Sequence, residues 1–479
     1  MKLLNKYKKM PVQVKASLWY TICNFFHKGI SFVVVPIYVR LLTTAEYGEW
    51  SVFQSWRDIL IIFASLNLYC GVYTKTLVDM PDSKSRDRYT ASMQGLGTLI
   101  TLVMLVIYFF THEWCNKVVG LDTPYMLLLF LYFIAYPGFA FWTTRQRVEY
   151  KYRQMVVLTV ITSILTPALS ILLLQKTALR ANAIILGFLI ISCSVGLVFY
   201  LYQFYKGRCF FDKDYWAYAA KFNIPLIPHY LSLIVLGQSD RIMIRYYCGD
   251  SDAGIYSFAY QIASAINVFI SAINGSRVPW TYEQLKLRKF DSLKKITNAL
   301  VIMMAGITLA ICLISPEIIG ILGTDAYKVA IYVIPVVTLG VYFTFVYDLY
   351  ASIEFYFGAT QYVMIASTTG AILNILLNAI FIPKFGFIAA AYTTLICYMA
   401  FMAMHFIFSK KVLRKQNIYE AVYNNSFIII ISIAILAIGL ASMFTFDYLY
   451  LRLTLIFAIL VFCFIKRNAI KAMIATVRR

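Results

Sequence analysis

The stretch MLLLFLYFIAYPGFAFW, residues 126–142, carries no charge and no alternation of polar with apolar positions. A helix that is apolar on every side is buried, in protein or in membrane. A membrane-barrel strand would instead alternate over about 10 residues. Several other runs in the chain exceed about 18 apolar residues, the length that crosses a hydrocarbon core of roughly 30 Å as a helix. Spanning backbone must satisfy its own hydrogen bonds, which leaves a helix bundle or a closed barrel. The missing alternation selects the bundle. Composition agrees: 61% of the 479 residues are hydrophobic and 14% charged, against about 25% charged in ordinary globular chains. A soluble multi-domain protein is excluded.

Read span by span, the chain is an all-α polytopic membrane protein with 14 transmembrane helices. They fall near 17–39, 47–69, 89–111, 124–143, 155–174, 183–203, 222–244, 254–276, 296–318, 329–354, 363–382, 386–408, 426–446 and 448–465. The net charge of +21 follows this topology. The two tails and every second link between them hold 31 lysines and arginines, and the intervening links hold 9. That asymmetry is the positive-inside pattern. It predicts both termini in the cytoplasm and leaves no basic excess that asks for nucleic acid. The first apolar run is full length and lacks a small-residue cleavage site, so a cleavable signal peptide is not expected. The nine cysteines are scattered without a CxxC pair, which supports neither a metal nor a redox site.

The stretch SDRIMIRYYCGDSDAGIYSFAYQIA, residues 239–263, places a charged elbow between two apolar runs. The topology puts it on the outer side, with its charges expected in water or headgroups. Asp252 is expected at the positive end of the following helix, and Gly254 to allow the tight turn into it. A shift of 206 residues lays Glu46, Gly48, Trp50 and Ser51 over Asp252, Gly254, Tyr256 and Ser257. The shared pattern, acid-x-Gly-x-aromatic-Ser, opens span two and span eight. Six spans separate the copies, so both have one orientation, as in parallel repeats about an axis along the membrane normal. The expected organisation is an N-lobe at 1–203, a cytoplasmic linker at 204–221, a C-lobe at 222–408, and a helix pair with a basic tail at 409–479. Two such lobes without a soluble domain suggest alternating access. No GxxxxGK[ST] loop is present, so energy would come from an ion gradient, the membrane potential or the substrate gradient.

Charges inside spans are expensive and point to function. Lys28 lies midway along span one, and Arg57 with Asp58 midway along span two. Lys28 and Arg57 suit a cationic floor for a phosphorylated substrate, since the guanidinium fork matches phosphate oxygens. The competing reading is an internal salt bridge from Asp58 to either of them. Asp348 and Glu354 in span ten are candidates for proton or sodium exchange, together with Asp58. Glu354 could equally snorkel to the interface. Arg277, ending span eight, is either a substrate contact or a positive-inside anchor. His229 follows two prolines in NIPLIPHYLS (223–232) and either lines a cavity or is structural, and His405 is expected at the interface. No catalytic triad, paired-carboxylate site or metal cluster is evident, and no enzyme activity or cofactor is expected.

FNIPLIPHYLSLIVLGQSDRIMIRYYCGDSDAGIYSFAYQIA (222–263) resembles the seventh and eighth spans of bacterial polysaccharide flippases of the Wzx or O-antigen-transporter type. The resemblance rests on Ile224-Pro225-Leu226-Ile227-Pro228, Ser239-Asp240-Arg241 and Gly254-Ile255-Tyr256. LNILLNAIFIPKFGFIAAAYTTLICYMAF (373–401) is similar to the family's eleventh and twelfth spans through Asn374, Asn378, Pro383 and Gly386, and PIYVRLLTTAEYGEWSVF (36–53) to its first elbow. Ala389 stands where the family often has glycine. The resemblance implies the multidrug/oligosaccharidyl-lipid/polysaccharide exporter superfamily, with two six-helix lobes in a V (MATE-like) and often two added helices. It implies a glycan on undecaprenyl pyrophosphate as substrate, moved from the inner to the outer leaflet of the bacterial cytoplasmic membrane. It also implies membrane lipid as surroundings, and a polysaccharide polymerase and chain-length regulator as partners. A drug/cation antiporter of the same fold would favour acids in the N-lobe, which offers only Asp58 beside Lys28 and Arg57. A membrane polymerase would usually carry a large outward loop, and none exceeds about 20 residues in this span assignment.

Overall fold

The computed structural model describes residues 10–80 and 82–465, and these are all-helical, with no strand among them. Most of the basic tails used to orient the chain lie outside the described residues. The first half contains α1 (Val12–Leu41), α2 (Thr44–Ser65), α3 (Val72–Asp79), α4 (Ser83–Val119), α5 (Thr123–Val148), α6 (Tyr152–Lys176), α7 (Ala181–Gly207) and α8 (Lys213–Asn223). A 3-10 turn, Ile224–Leu226, leads into α9 (Ile227–Cys248). Then follow α10 (Asp250–Ala263), α11 (Ile266–Lys286), α12 (Phe290–Leu313), α13 (Ser315–Leu322), α14 (Val333–Tyr356), α15 (Thr360–Phe385), α16 (Ile388–Lys415), α17 (Asn425–Ala441) and α18 (Leu449–Ile465).

Among the described residues, twelve segments are long and apolar enough to cross a membrane, against the fourteen read from the sequence. The two that fall short are span two and span fourteen. The second corresponds to α2, which is 22 residues long but holds Glu46, Glu49, Arg57 and Asp58. Its inward positions are covered by other helices, so it does not need a continuous apolar surface. The last is α18, which is 17 residues long.

The chain divides into two compact units, the first ending at Gln238 and the second beginning at Ser239, so the division falls inside α9. In the first unit, α5 and α7 cross backbone to backbone. A methyl group on Gly138 would sit 2.7 Å from the Gly196 carbonyl oxygen, and one on Gly196 2.5 Å from that of Ala135. Small residues at a crossing are how membrane helices approach closely. The segment 204–221 contains most of α8, which packs into this unit: Ala219 is buried with Tyr73, Leu77, Tyr89, Met93 and Phe141. The Trp216 indole N–H donates to the Ser92 carbonyl at 2.9 Å.

In the second unit, α14 is the central helix. It is buried on nearly all sides, from Val333 to Glu354, which is why its sequence is apolar without a polar stripe.

The two copies of the short repeat each form the first turns of a helix. Gly48, Trp50 and Ser51 are buried in α2, and Gly254, Tyr256 and Ser257 in α10. In the first copy Thr43 and Glu46 close a capping box. Arg180 reaches Glu46 at 2.7 and 2.9 Å and holds its carboxyl below the usual range. In the second copy α10 begins at Asp250, so Asp252 lies within its first turn. The tight opening belongs to Gly249, with φ of +98°, and not to Gly254, which lies inside the helix. Arg245 pairs with Asp250 at 2.8 Å across that turn.

Candidate functional site

The first unit holds its mid-helix charges on α2. Arg57 and Asp58 are sequence neighbours, and the Arg57 side chain folds back onto the carboxylate. Its Nε donates to Asp58 Oδ1 at 2.9 Å and its Nη2 at 2.6 Å. The guanidinium carbon lies 4.7 Å from the centre of the Phe188 ring, a cation–π contact. Phe188 packs on Tyr132 at 5.5 Å, and Tyr132 stacks on Tyr136 at 5.1 Å. The other Asp58 oxygen accepts from Gln238 Nε2 at 3.3 Å, and Gln238 in turn accepts from Ser55 at 3.2 Å. The pair is not sealed: its side chains are 14% and 30% exposed. A guanidinium in this position can exchange its carboxylate partner for the oxygens of a phosphate without leaving its aromatic support.

Lys28 and His229 have other surroundings. Lys28 is exposed on α1, one position beyond His27, whose Nδ1 is 2.7 Å from Ser163 Oγ on α6. His229 is half-buried in the first turn of α9, after Pro225 within the 3-10 turn and Pro228 in the same first turn, with Tyr230 beside it at 5.8 Å.

The second unit brings two predicted residues together. Arg277, only 3% exposed, pairs through Nη2 with Asp348, and the same nitrogen lies 3.2 Å from Ser352 Oγ. Its Nε donates to Asn274 at 2.9 Å, while its buried Nη1 has no hydrogen-bond partner. The positive-inside anchor reading of Arg277 is therefore corrected: the side chain turns inward because α14 offers a carboxylate there. Glu354 and His405 are corrected in the same way. Neither reaches an interface. Both are fully buried, with His405 Nδ1 at 3.0 and 3.1 Å from the Glu354 oxygens, and the imidazole stacked on Tyr347 at 5.3 Å. A fully buried carboxylate must have a partner, and α16 supplies one.

The largest correction concerns the elbow. Asp240 and Arg241 were expected in water, but Asp240 is wholly buried and Arg241 nearly so. Asp240 Oδ1 accepts from Asn378 at 2.7 Å, and Oδ2 accepts from Tyr256 at 2.5 Å and Thr394 at 2.7 Å. Ser239 donates to Asn374 at 2.8 Å, Asn374 to Thr394 at 3.2 Å, and Thr393 to Asn378. The Arg241 guanidinium carbon lies 4.6 Å over the Tyr260 ring. Four helices, α9, α10, α15 and α16, are thus tied to one carboxylate. The spacing of Asn374 and Asn378, i and i+4 on one helix face, was the signal in the sequence that a polar partner would face them. Among the described residues no group of three or more side chains could hold a metal ion.

Residues 14–284 match the family described as polysaccharide biosynthesis protein. The chain belongs to this family. An uncharacterised membrane protein of Haemophilus influenzae is 28% identical over 381 residues, 75% of this chain and 88% of the relative. Among solved structures, the lipid II flippase MurJ in an inward closed conformation aligns with a TM-score of 0.68 at 16% identity, over 95% of this chain and all of the other. An inward-facing multidrug resistance MATE family transporter of the MOP superfamily aligns with 0.62 at 11% identity, over 86% and 99%. The fold is that of membrane flippases and transporters rather than of enzymes, and the chain is a multi-pass membrane protein. The resemblance read from residues 222–263 is borne out at the level of the family, and the fold it implied is the one observed.

Proposed function

We propose that this member of the polysaccharide biosynthesis family is a flippase for a lipid-linked oligosaccharide, moving a glycan unit on undecaprenyl pyrophosphate across the bacterial cytoplasmic membrane by alternating access. The observation that carries the reading is Arg57. It is a partly accessible guanidinium at mid-helix, held in place by Asp58 and backed by Phe188, Tyr132 and Tyr136. A pyrophosphate would take the guanidinium fork from Asp58, while the aromatic faces suit the apolar faces of sugar rings. Lys28 adds a second cation, and His229 a hydrogen-bonding group. The lipid tail needs no polar site, because it can remain in the bilayer.

Coupling to a proton or sodium gradient is assigned to Asp348 and Glu354, with Asp58 as the third carboxylate. Asp348 shares Arg277 and is 30% exposed, so a cation has access to it. Asp348→Asn is expected to weaken the response of transport to an imposed ion gradient in vesicles; an unchanged response removes it from that role. Both termini are taken as cytoplasmic, residues 204–221 as the linker between lobes, and 409–479 as an appendage. A polymerase and a chain-length regulator would act on the product at the outer face.

The decisive cellular experiment is the leaflet location of the lipid-linked glycan after depletion of this protein. Accumulation on the cytoplasmic face, reversed by re-expression, is expected. Glycan that still reaches the outer face but fails to lengthen would assign the chain to polymerisation instead.

A further inference from the structure

A lateral groove in the first unit has no part in the reading above. Helices α6 and α7 form an antiparallel hairpin that is tight at one end: a methyl on Gly187 would lie 2.7 Å from the Ser170 Cα. Toward the other end the two helices part and leave a cleft of about 520 Å³. That lies within the size range of small-molecule sites, roughly 300–1,000 Å³. Its floor is aromatic. Trp142, on α5 and almost fully buried, packs against Phe199 with ring centres 4.4 Å apart. Its walls are aliphatic: Val157 and Leu158 on α6, and Val198 on α7. Val157 and Val198 are among the more exposed apolar residues of the unit, at 57% and 64%.

One end of the cleft is polar and basic. Arg153 and Gln154, in the first turn of α6, line it there, and none of the lining residues is acidic. Tyr202 lines the same end, with Lys206 Nζ 4.7 Å over its ring. This is the end of the unit where α5 finishes in Arg145 and Arg147 and α7 in Lys206. A cleft with an apolar floor and walls, one cationic mouth and a tyrosine at the level of the cations has the polarity of a lipid standing in one leaflet.

We propose that this groove is a binding site for an anionic glycerophospholipid of the surrounding membrane. The headgroup phosphate would lie between Arg153 and Lys206, and one acyl chain would run along Val157, Leu158 and Val198 over Trp142. The site does not depend on what the protein transports. It adds a fixed lipid to the α6–α7 hairpin where the two helices fail to meet.

The test uses the full chain in phosphatidylcholine nanodiscs doped with phosphatidylglycerol or phosphatidylcholine brominated on the acyl chain. Bromine quenches tryptophan on contact, and subtracting the Trp142→Phe signal isolates Trp142 from the other six tryptophans. Brominated phosphatidylglycerol is expected to quench Trp142 at about tenfold lower mole fraction than brominated phosphatidylcholine. The double variant Arg153→Gln, Lys206→Gln is expected to erase that difference while leaving quenching by phosphatidylcholine in place. Both replaced side chains are exposed, and a monodisperse elution profile identical to wild type verifies the fold of each variant. Equal quenching by the two lipids in wild type would overturn the proposal, as would absence of Trp142 quenching by either. Displacement by inorganic phosphate alone would make the mouth a simple anion site and also overturn it. So would displacement by a polyprenyl phosphate at lower mole fraction than phosphatidylglycerol requires, which would give the groove to a prenyl tail.

Discussion

The two units handle buried charge in opposite ways. In the first, Arg57 and Asp58 are adjacent on one helix and partly open. In the second, Asp240 is sealed and takes hydrogen bonds from Tyr256, Asn378 and Thr394 on three other helices. The Glu354–His405 pair is also fully buried, but His405 Nε2 has no hydrogen-bond partner, so this pair is not a closed network. A polar network with every partner in place fixes the packing of its helices, and one that is partly open can respond to a ligand. On the proposed reading, the closed Asp240 network is scaffold and the open Arg57–Asp58 pair is the site.

The strongest way to break the comparison is Asp240→Ala. It removes the acceptor shared by three buried donors, and each buried polar group left unsatisfied costs about 1–3 kcal/mol. The variant is expected to lose most folded protein, measured by thermal unfolding in detergent. A stable variant would mean that the network is not what holds α9 to α15 and α16. Arg57→Gln is expected to do the reverse. Its unfolding temperature should stay close to wild type, while export falls about 10- to 100-fold, the worth of a charge-assisted hydrogen bond. Export by the Lys28→Ala, Arg57→Ala double variant at wild-type rate would remove the cationic site.

These two predictions also mark what the sequence could and could not convey. Apolar runs and the basic asymmetry of the links were legible because each is a local property of the chain. So was the repeat that opens α2 and α10, because its residues are consecutive. The burial of Asp240 was not legible. Its partners lie 16, 138 and 154 residues away, and a charge at the end of an apolar run looks the same whether it meets water or four helices. Arg277 and Asp348, 71 residues apart, were both singled out, but nothing local joined them. Arg57 and Asp58 were legible as a pair because they are neighbours. What could not be read was the aromatic support from α5 and α7.

A smaller effect probes packing alone. Gly138→Leu forces a side chain into the α5–α7 crossing, where the Gly196 carbonyl leaves no room, and overpacking costs about 1–3 kcal/mol. Lower thermal stability is expected, with export per folded molecule little changed. The smallest effect belongs to the exposed pair at the start of α2. Glu46→Gln removes the Arg180 contact, a surface salt bridge worth about 0.2–1 kcal/mol. Because Arg180 lowers the Glu46 pKa in the folded state, its contribution is present above the unfolded value of about 4.3 and fades as the pH falls below it. The difference in unfolding temperature between Glu46→Gln and wild type should therefore be present at pH 7 and shrink progressively as the pH falls through the acid range.

The most direct test of the central claim is transport in a purified system. Wild type, Arg57→Gln and Arg57→Lys are reconstituted into proteoliposomes loaded with a lipid-linked glycan, and arrival at the opposite leaflet is read with a membrane-impermeant sugar-modifying enzyme. The account predicts translocation by wild type, near-background signal from Arg57→Gln, and partial recovery in Arg57→Lys, which restores the charge but not the fork. Translocation by Arg57→Gln at the wild-type rate, or none by folded wild type, would contradict it.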